Sequence, residues 1–303
     1  MLSNMGNLFA FPKCSAAGRH AFLAMVGILS AGISAARGIV PLAEPSLPQR
    51  TALADLVIVG KVTALEPDLV QASPLLRIPG IARIPYQVAV VSVQTPVLGI
   101  KTSSQIRVGY VVLPSATQES QVKYRRLARL KLAEGQEGCF FLTKHPEEPF
   151  YVAQAAYEFL DKSKTKSYEA KLAEIKHCAQ LLHDPDAGLQ AKTPADRLLT
   201  AAMLIFRYRT ARSAYSGKPT TAPIDANQSR RILSVLAEAE WKEEEAPFEL
   251  SPFSLFMRLD LTPEDGWTPP KSVPEQISAA KKWLRENAGS YRIQKYVPEV
   301  MPH

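Results

Sequence analysis

The sequence predicts an α+β fold in which a five-stranded β-barrel is followed by a small all-helical domain. Up to about residue 160 the apolar residues alternate with a period of two, which is typical of half-buried strands. From about residue 165 they recur every third or fourth position, which is typical of amphipathic helices. The chain has 303 residues, enough for about two domains. We therefore expect a barrel domain over residues 37–160 and a helical domain over residues 161–303.

Five short runs in the first half have the length and composition of strands. They are rich in β-branched or aromatic residues and are bounded by turn-forming segments. In chain order they are Leu53–Val62, Tyr86–Val93, Ile106–Leu113, Cys139–Thr143 and Phe150–Ala155. The segment Gln118–Leu132 suits a short helical turn between the third and fourth runs. Five strands with a helical or loop segment between the third and the fourth indicate a β-barrel of the OB type. A plain five-stranded sandwich is the alternative.

The second half contains five predicted helices. The first carries an apolar stripe, formed by Tyr168, Leu172, Ile175, Ala179 and Leu182. The second begins at Thr193, which suits the N-cap, with Pro194 in its first turn. The other three are Ser229–Glu240, a short helix opened by Ser251 and Pro252, and Pro274–Asn287. We expect Ser213–Asp225 to be a loop.

Residues 1–36 have the layout of a secretory signal peptide. Lys13, Arg19 and His20 form a mildly cationic start, and an uninterrupted small and apolar stretch follows from Ala21 to Ala36. Roughly 16 residues are too few to span a bilayer, since a stable transmembrane helix needs about 20. We expect cleavage after Ala36 and export to the periplasm or the extracellular space. An uncleaved N-terminal anchor is the alternative.

Composition excludes several classes of protein. At 46% apolar residues and 3 cysteines, the chain is neither disordered nor a disulfide-dense scaffold. The net charge of +7 falls to +5 once Lys13 and Arg19 are removed with the signal, which is too small to indicate nucleic acid as a specific partner.

One segment concentrates positive charge. Five basic residues lie within nine positions: Lys123, Arg125, Arg126, Arg129 and Lys131. We call them the basic segment and predict that it binds an anionic surface or an acidic partner. Tyr124 is its single aromatic residue. The segment therefore lacks the several aromatic side chains on which the bases of a single-stranded nucleic acid stack. The alternative is a solvated amphipathic turn whose leucines, Leu127 and Leu130, cover the end of the barrel.

Residue types that carry catalysis or bind metals do not form a recognisable motif. Cys139 and Cys178 remain after cleavage, and they either form a disulfide or stay as free buried thiols. His177 and His183 are six residues apart, which is not the spacing of a helical zinc site. We therefore predict no catalytic residue, no metal site and no cofactor.

The opening of the first strand region resembles a known family. Residues 47–50 (Leu-Pro-Gln-Arg) and 54–62 (Ala-Asp-Leu-Val-Ile-Val-Gly-Lys-Val) resemble the start of netrin-module and metalloproteinase-inhibitor (TIMP-like) OB domains. The turn at residues 135–138 is similar to that family's entry into its fourth strand. The resemblance covers roughly residues 47–160 and implies a barrel. It does not imply inhibition, because those inhibitors reach zinc through an N-terminal cysteine and no cysteine lies near residue 37. The whole chain also resembles uncharacterised exported bacterial proteins.

These features predict an exported, non-enzymatic protein. We expect it to bind a macromolecular or cell-envelope partner, either an unknown protein or an anionic envelope component. We expect no transmembrane helix in the mature chain. The alternative function is an extracytoplasmic hydrolase whose site is assembled from residues distant in sequence, for example His145 with an acid from the helical half.

Overall fold

The computed structural model describes residues 44–75, 81–99, 103–112, 130–211, 220–241 and 248–297. Within these ranges the chain contains both helices and sheets, which confirms the α+β class. The predicted signal peptide, residues 1–36, lies outside the described residues. The described residues form one compact unit.

Nine strands and seven helices are present among the described residues. The strands are β1 Leu56–Leu65, β2 Val70–Ala72, β3 Ile84–Leu98, β4 Gln105–Val111, β5 Glu137–Lys144, β6 Tyr151–Val152, β7 Phe159–Asp161, β8 Thr220–Pro223 and β9 Gln294–Val297. The helices are α1 Leu47–Leu53, α2 Tyr168–His183, α3 Pro185–Leu189, α4 Pro194–Arg209, α5 Ala226–Glu238, α6 Pro252–Met257 and α7 Val273–Asn287. Short 3₁₀ turns lie at Ala156–Glu158, Phe248–Leu250 and Pro263–Asp265.

All five predicted strands are present, and their pairings form a closed circuit. β1 is antiparallel to both β3 and β5, and β3 is antiparallel to β4. β6 completes the circuit because it is parallel to β4 and antiparallel to β5. β2 adds to β3 and β7 adds to β5. These two short strands were not predicted, and β6 is shorter than the predicted run Phe150–Ala155.

β1 is buried on both faces. Its residues Leu56, Ile58 and Val62 belong to a cluster formed with the other circuit strands, which we call the ring cluster. Val57 and Val59 point the opposite way, because successive side chains of a strand alternate between its faces. They join a second cluster with Leu172 and Ile175 of α2, which we call the outer cluster. The continuous apolar run of β1 is therefore explained by this burial on two sides.

The segment before β1 differs from the prediction. The sequence pattern predicts strand-like structure from residue 47, but Leu47–Leu53 forms helix α1. Pro48 occupies its first turn, where the missing N–H of proline is not needed. The Thr51 hydroxyl donates to the Leu47 carbonyl oxygen at 2.8 Å, inside the helix. A helix of fewer than two full turns shows no measurable period, so the hydrophobic pattern could not reveal it.

The five predicted helices of the second half are confirmed, with small shifts at their ends, whereas the helical turn predicted within Gln118–Leu132 lies mostly outside the described residues. The Thr193 hydroxyl accepts a hydrogen bond from the Asp196 amide at 3.1 Å, as the N-cap prediction requires. Helix α5 begins three residues earlier than predicted because Asp225 caps the amides of Asn227 and Gln228.

Three short elements of the second half were missed, and the two strands among them show that the prediction of an all-helical domain was wrong. Helix α3 starts at Pro185 and is capped by Asp184. Strands β8 and β9 pair with each other although about seventy residues separate them, and β8 lies inside the expected loop Ser213–Asp225. The hydrophobic pattern of either strand alone is too short to indicate such a distant pairing.

Gly138 offers a test of the strand circuit. It lies where β5 pairs with β1 on one side and β7 on the other. An added Cβ would lie 2.1 Å from the Leu160 carbonyl oxygen and 2.8 Å from the Phe159 ring. We therefore expect Gly138→Ala to lower the free energy of unfolding by about 2–3 kcal/mol, measured by urea denaturation. Gly289→Ala is the control, since nothing lies within 4 Å of its Cβ position. Equal stabilities of the two variants would contradict this arrangement.

Candidate functional site

A small cavity lies between α1, β5 and the 3₁₀ turn at Ala156–Glu158. Its volume is about 80 Å³. Two charged side chains, Arg50 and Glu158, reach it together with the polar residues Thr143 and Tyr157. The remaining walls are apolar and are formed by Pro45, Leu53, Ala54 and Phe141. Buried charge beside an accessible space is unusual in a folded protein, and this makes the cavity the first candidate site.

Arg50 is held in place on α1 by three different acceptors. Its side chain is only 9% exposed. The guanidinium donates to the Pro45 carbonyl oxygen at 2.6 Å and to the Tyr157 carbonyl oxygen at 2.7 Å. It forms an ion pair with Glu44 at 3.1 Å, and it also lies 5.3 Å from the centre of the Tyr157 ring. Arg50 therefore ties α1 to the turn that carries Glu158.

Glu158 is a partly buried carboxyl group with one occupied oxygen. Its Oε2 accepts hydrogen bonds from the backbone amides of Gln154 and Ala155. Burial raises the pKa of Glu158 to about 7, although the two amides and the nearby charge of Arg50 act in the opposite direction. Near neutral pH both the protonated and the ionised form are thus populated.

This geometry defines which chemistry the cavity can perform. A carboxyl group that titrates near pH 7 can donate or accept a proton or a hydrogen bond. Glycoside hydrolysis and related reactions need a second acid or a nucleophile activated by a base. Glu158 is the single carboxyl group among the cavity's lining residues. The arrangement therefore suits the binding of a polar group.

A second concave surface lies between β3 and α2. This open groove has a volume of about 550 Å³ and is bordered by the end of β3 at Thr95–Gly99 and by Lys176, Gln180 and His183 of α2. The polar side chains of α2 at this groove are exposed. It therefore lacks the desolvated charge that distinguishes the Arg50–Glu158 cavity.

The basic segment is described only at its end. Lys123, Arg125, Arg126 and Arg129 lie outside the described residues. Lys131 is exposed, and its neighbours Leu130 and Leu132 are buried in the ring cluster.

His145, which the hydrolase alternative invoked, is 1% exposed at the turn after β5. Its Nδ1 accepts hydrogen bonds from the amides of Glu147 and Glu148 at 3.2 and 3.0 Å. Its Nε2 therefore carries the proton and donates to the Ser73 carbonyl oxygen at 3.0 Å. Both ring nitrogens are engaged by backbone groups, so His145 holds two loops together and offers no lone pair to a substrate.

Cys139 and Cys178 are free and buried, so the disulfide left open by the sequence is not formed. They lie in different clusters, Cys139 in the outer cluster and Cys178 among the helices. Burial raises the pKa of each thiol to about 12, which keeps both protonated at neutral pH.

His177 has a structural partner on a neighbouring helix. His177 Nε2 lies 2.7 Å from Asp196 Oδ1, which links α2 to α4. The described residues include no group of three or more side chains that could hold a metal ion.

Sequence analysis did not identify Arg50 or Glu158. The two residues are 108 positions apart, and the resemblance at residues 47–50, which includes Arg50, assigns no functional role to this arginine. The burial of Glu158 results from the packing of its turn against α1, a helix that the pattern did not predict.

Comparisons with known proteins assign no family to the chain. No family model matches it, and no curated protein matches it significantly. None of the helices in the described ranges is long and apolar enough to cross a membrane.

Glu158 should make the stability of the protein depend on pH. Its pKa is near 4.5 when unfolded and about 7 when folded, so the folded state binds more protons between these values. The free energy of unfolding is therefore expected to fall by up to about 3 kcal/mol as the pH rises from 4.5 to 8. Glu158→Gln keeps an oxygen acceptor for the two amides but cannot ionise. We expect this variant to be more stable than the parent at pH 8, measured by urea denaturation.

Glu264→Gln is the matched control, because Glu264 is exposed and lies outside the cavity lining. Its pH profile should follow that of the parent protein. A Glu158→Gln profile that also matches the parent between pH 5 and 8 would show that Glu158 titrates normally.

Proposed function

We propose that this is an exported, non-enzymatic protein in which an OB-like β-barrel binds a macromolecular or cell-envelope partner. Numbered along the chain, the five circuit strands follow the spatial order 1-2-3-5-4, and the fourth pairs back to the first. The third and fifth strands are parallel and the other neighbours are antiparallel. This order supports an OB-like barrel, a fold that commonly presents binding surfaces on its strands and loops.

The observation that carries the binding proposal is the placement of Lys131. Leu130 and Leu132 on either side of it are buried in the ring cluster, and the Tyr110 hydroxyl donates to the Leu132 carbonyl oxygen at 3.4 Å. These contacts fasten the end of the basic segment to the strands while Lys131 points to solvent. A cationic segment anchored in this way supports a role in binding an anionic partner.

A partner bound through its negative charge fits the sequence better than a nucleic acid recognised through its bases. Arginine and lysine bind phosphate or carboxylate groups on a surface through charge alone. The basic segment contains one aromatic residue, Tyr124, which is too few for stacking on several bases. We therefore propose an anionic envelope component or an acidic protein and not a specific nucleic acid.

A hydrolase remains the second candidate because of the cavity. Arg50, Thr143 and Glu158 are distant in sequence but line one space, as the alternative required. This candidate predicts that Glu158→Gln abolishes an activity without weakening partner binding, whereas the binding proposal assigns no activity to Glu158.

Removing two charges from the basic segment should weaken binding. Each basic residue near an anionic membrane surface contributes about 1 kcal/mol, so Arg125→Ala with Arg129→Ala should lower the affinity for vesicles of phosphatidylcholine and phosphatidylglycerol about 30-fold. The loss should shrink at high salt because screening already weakens the parent's binding. Co-sedimentation with the vesicles measures both effects.

Lys192→Ala with Lys295→Ala provides the matched control, since both lysines are exposed and lie far along the chain from the basic segment. It removes the same charge and should leave the affinity within about twofold. Equal losses in both double variants would indicate a general charge effect, and unchanged binding of the arginine variant would refute the role of the basic segment.

Export should leave a shortened chain outside the cytoplasm. Cleavage after Ala36 gives a protein that begins at Arg37, and intact-mass spectrometry of the cell fractions should find this species in the periplasmic or extracellular fraction. Ala36→Tyr should block cleavage because the peptidase accepts a small residue there. Parent protein of full length in the cytosol would contradict export, and full-length parent in the membrane fraction would indicate the uncleaved anchor.

A further inference from the structure

We infer that the cavity between α1 and the Ala156–Glu158 turn binds a primary ammonium group, presented by a free small amine or by the lysine side chain of a protein partner. The proposal depends on the geometry of Arg50, Glu158 and the cavity walls alone. It is independent of the basic segment.

One carboxylate oxygen of Glu158 accepts no hydrogen bond from the described residues. Oε2 is occupied by the Gln154 and Ala155 amides, but no described residue donates a hydrogen bond to Oε1. Glu158 is itself one of the residues that line the cavity. An ionised carboxylate with an unfilled oxygen is costly in a poorly hydrated space. A ligand that donates to Oε1 would remove this cost.

Arg50 does not fill that role itself. It lies close enough to influence Glu158 electrostatically, yet its ion pair is made with Glu44 at 3.1 Å. Its remaining contacts go to the carbonyl oxygens of Pro45 and Tyr157. With Glu44 and Glu158 ionised, the three groups have a net charge of −1. The site therefore favours a cation over an anion when Glu158 is ionised.

The cavity walls and volume limit the ligand. About 80 Å³ accommodates a group of a few heavy atoms, far below the 300–1,000 Å³ of ordinary small-molecule pockets. Leu53, Ala54 and Phe141 offer apolar contacts for a short alkyl chain. Thr143 adds a hydroxyl group that can accept a second N–H. An alkylammonium group matches this combination, because it joins several N–H donors to an apolar stem.

Binding should be coupled to the ionisation of Glu158. The charged or titratable groups nearest to this carboxyl are Arg50 and Glu44 on the α1 side and Tyr157 on its own turn. Tyr157 stays neutral near pH 7, since burial raises its pKa. The change in ligand affinity between pH 6 and pH 8 is therefore set by Glu158.

Isothermal titration of the whole protein with methylammonium chloride tests the proposal. We expect binding with a dissociation constant below about 50 mM at pH 8 and about tenfold weaker binding at pH 6, with proton release near pH 7. Tetramethylammonium has the same charge but no N–H donor and should not bind. Sodium acetate should not bind either. Nα-acetyl-lysine methylamide distinguishes the two sources of the ammonium group. If it binds, the ligand is the side chain of a lysine residue. If methylammonium binds and this compound does not, the ligand is a free small amine.

Glu158→Gln should reduce methylammonium binding at least tenfold at pH 8, and Glu264→Gln, which removes an exposed carboxylate elsewhere, should leave it unchanged. The pH dependence of the parent protein tests the proposal even if the Glu158 variant folds poorly. The proposal is overturned if acetate binds and methylammonium does not, if methylammonium binding is absent at about 50 mM, or if Glu158→Gln binds as the parent does. Vesicle binding through the basic segment is unaffected by any of these results.

Discussion

Strand β1 contacts two hydrophobic clusters at once, and the rest of the structure depends on this. One face contributes Leu56, Ile58 and Val62 to the ring cluster, and the other contributes Val57 and Val59 to the outer cluster. Helix α2 continues the connection, since Leu172 and Ile175 join the outer cluster while Leu181 and Leu182 join the helical cluster formed with α4, α5 and α7. The strand circuit and the helices are therefore linked through shared side chains and form one compact unit. Each fully buried Val, Leu or Ile in such a position contributes about 1.5–3 kcal/mol.

The same constraint builds the Arg50–Glu158 cavity. Helix α1 ends one residue before the bend that leads into β1, so the burial of β1 fixes the direction of α1. Arg207 of α4 donates to the Ala52 carbonyl oxygen at 3.2 Å and holds the other side of the helix. Arg50 then fastens the turn at Ala156–Glu158, and the space between them keeps a carboxyl group away from bulk water. A site whose residues come from positions 50, 143 and 158 thus exists because three elements meet at one end of β1.

How much of this the sequence could predict depends on the length of each element. Residues with a sustained period, such as Tyr86–Val93 or the stripe from Tyr168 to Leu182, gave the correct element and its buried face. Local capping chemistry at Thr193 and Ser251 placed helix starts correctly. The short elements α1, β2 and β7 carry too few positions for a recognisable period and are fixed by distant partners. Glu158 could not be identified because its pKa is raised by tertiary burial, which leaves no local signal.

The claim that β1 and α2 join the strands and helices into one cooperative unit has a direct test. Native-state hydrogen exchange measures the free energy at which each backbone amide opens. We predict that the most protected amides of β1, α2 and α4 exchange at the same free energy, equal to that of global unfolding. Exchange of α4 amides at a free energy several kcal/mol below that of β1 would mean that the helices unfold separately, and it would contradict the account.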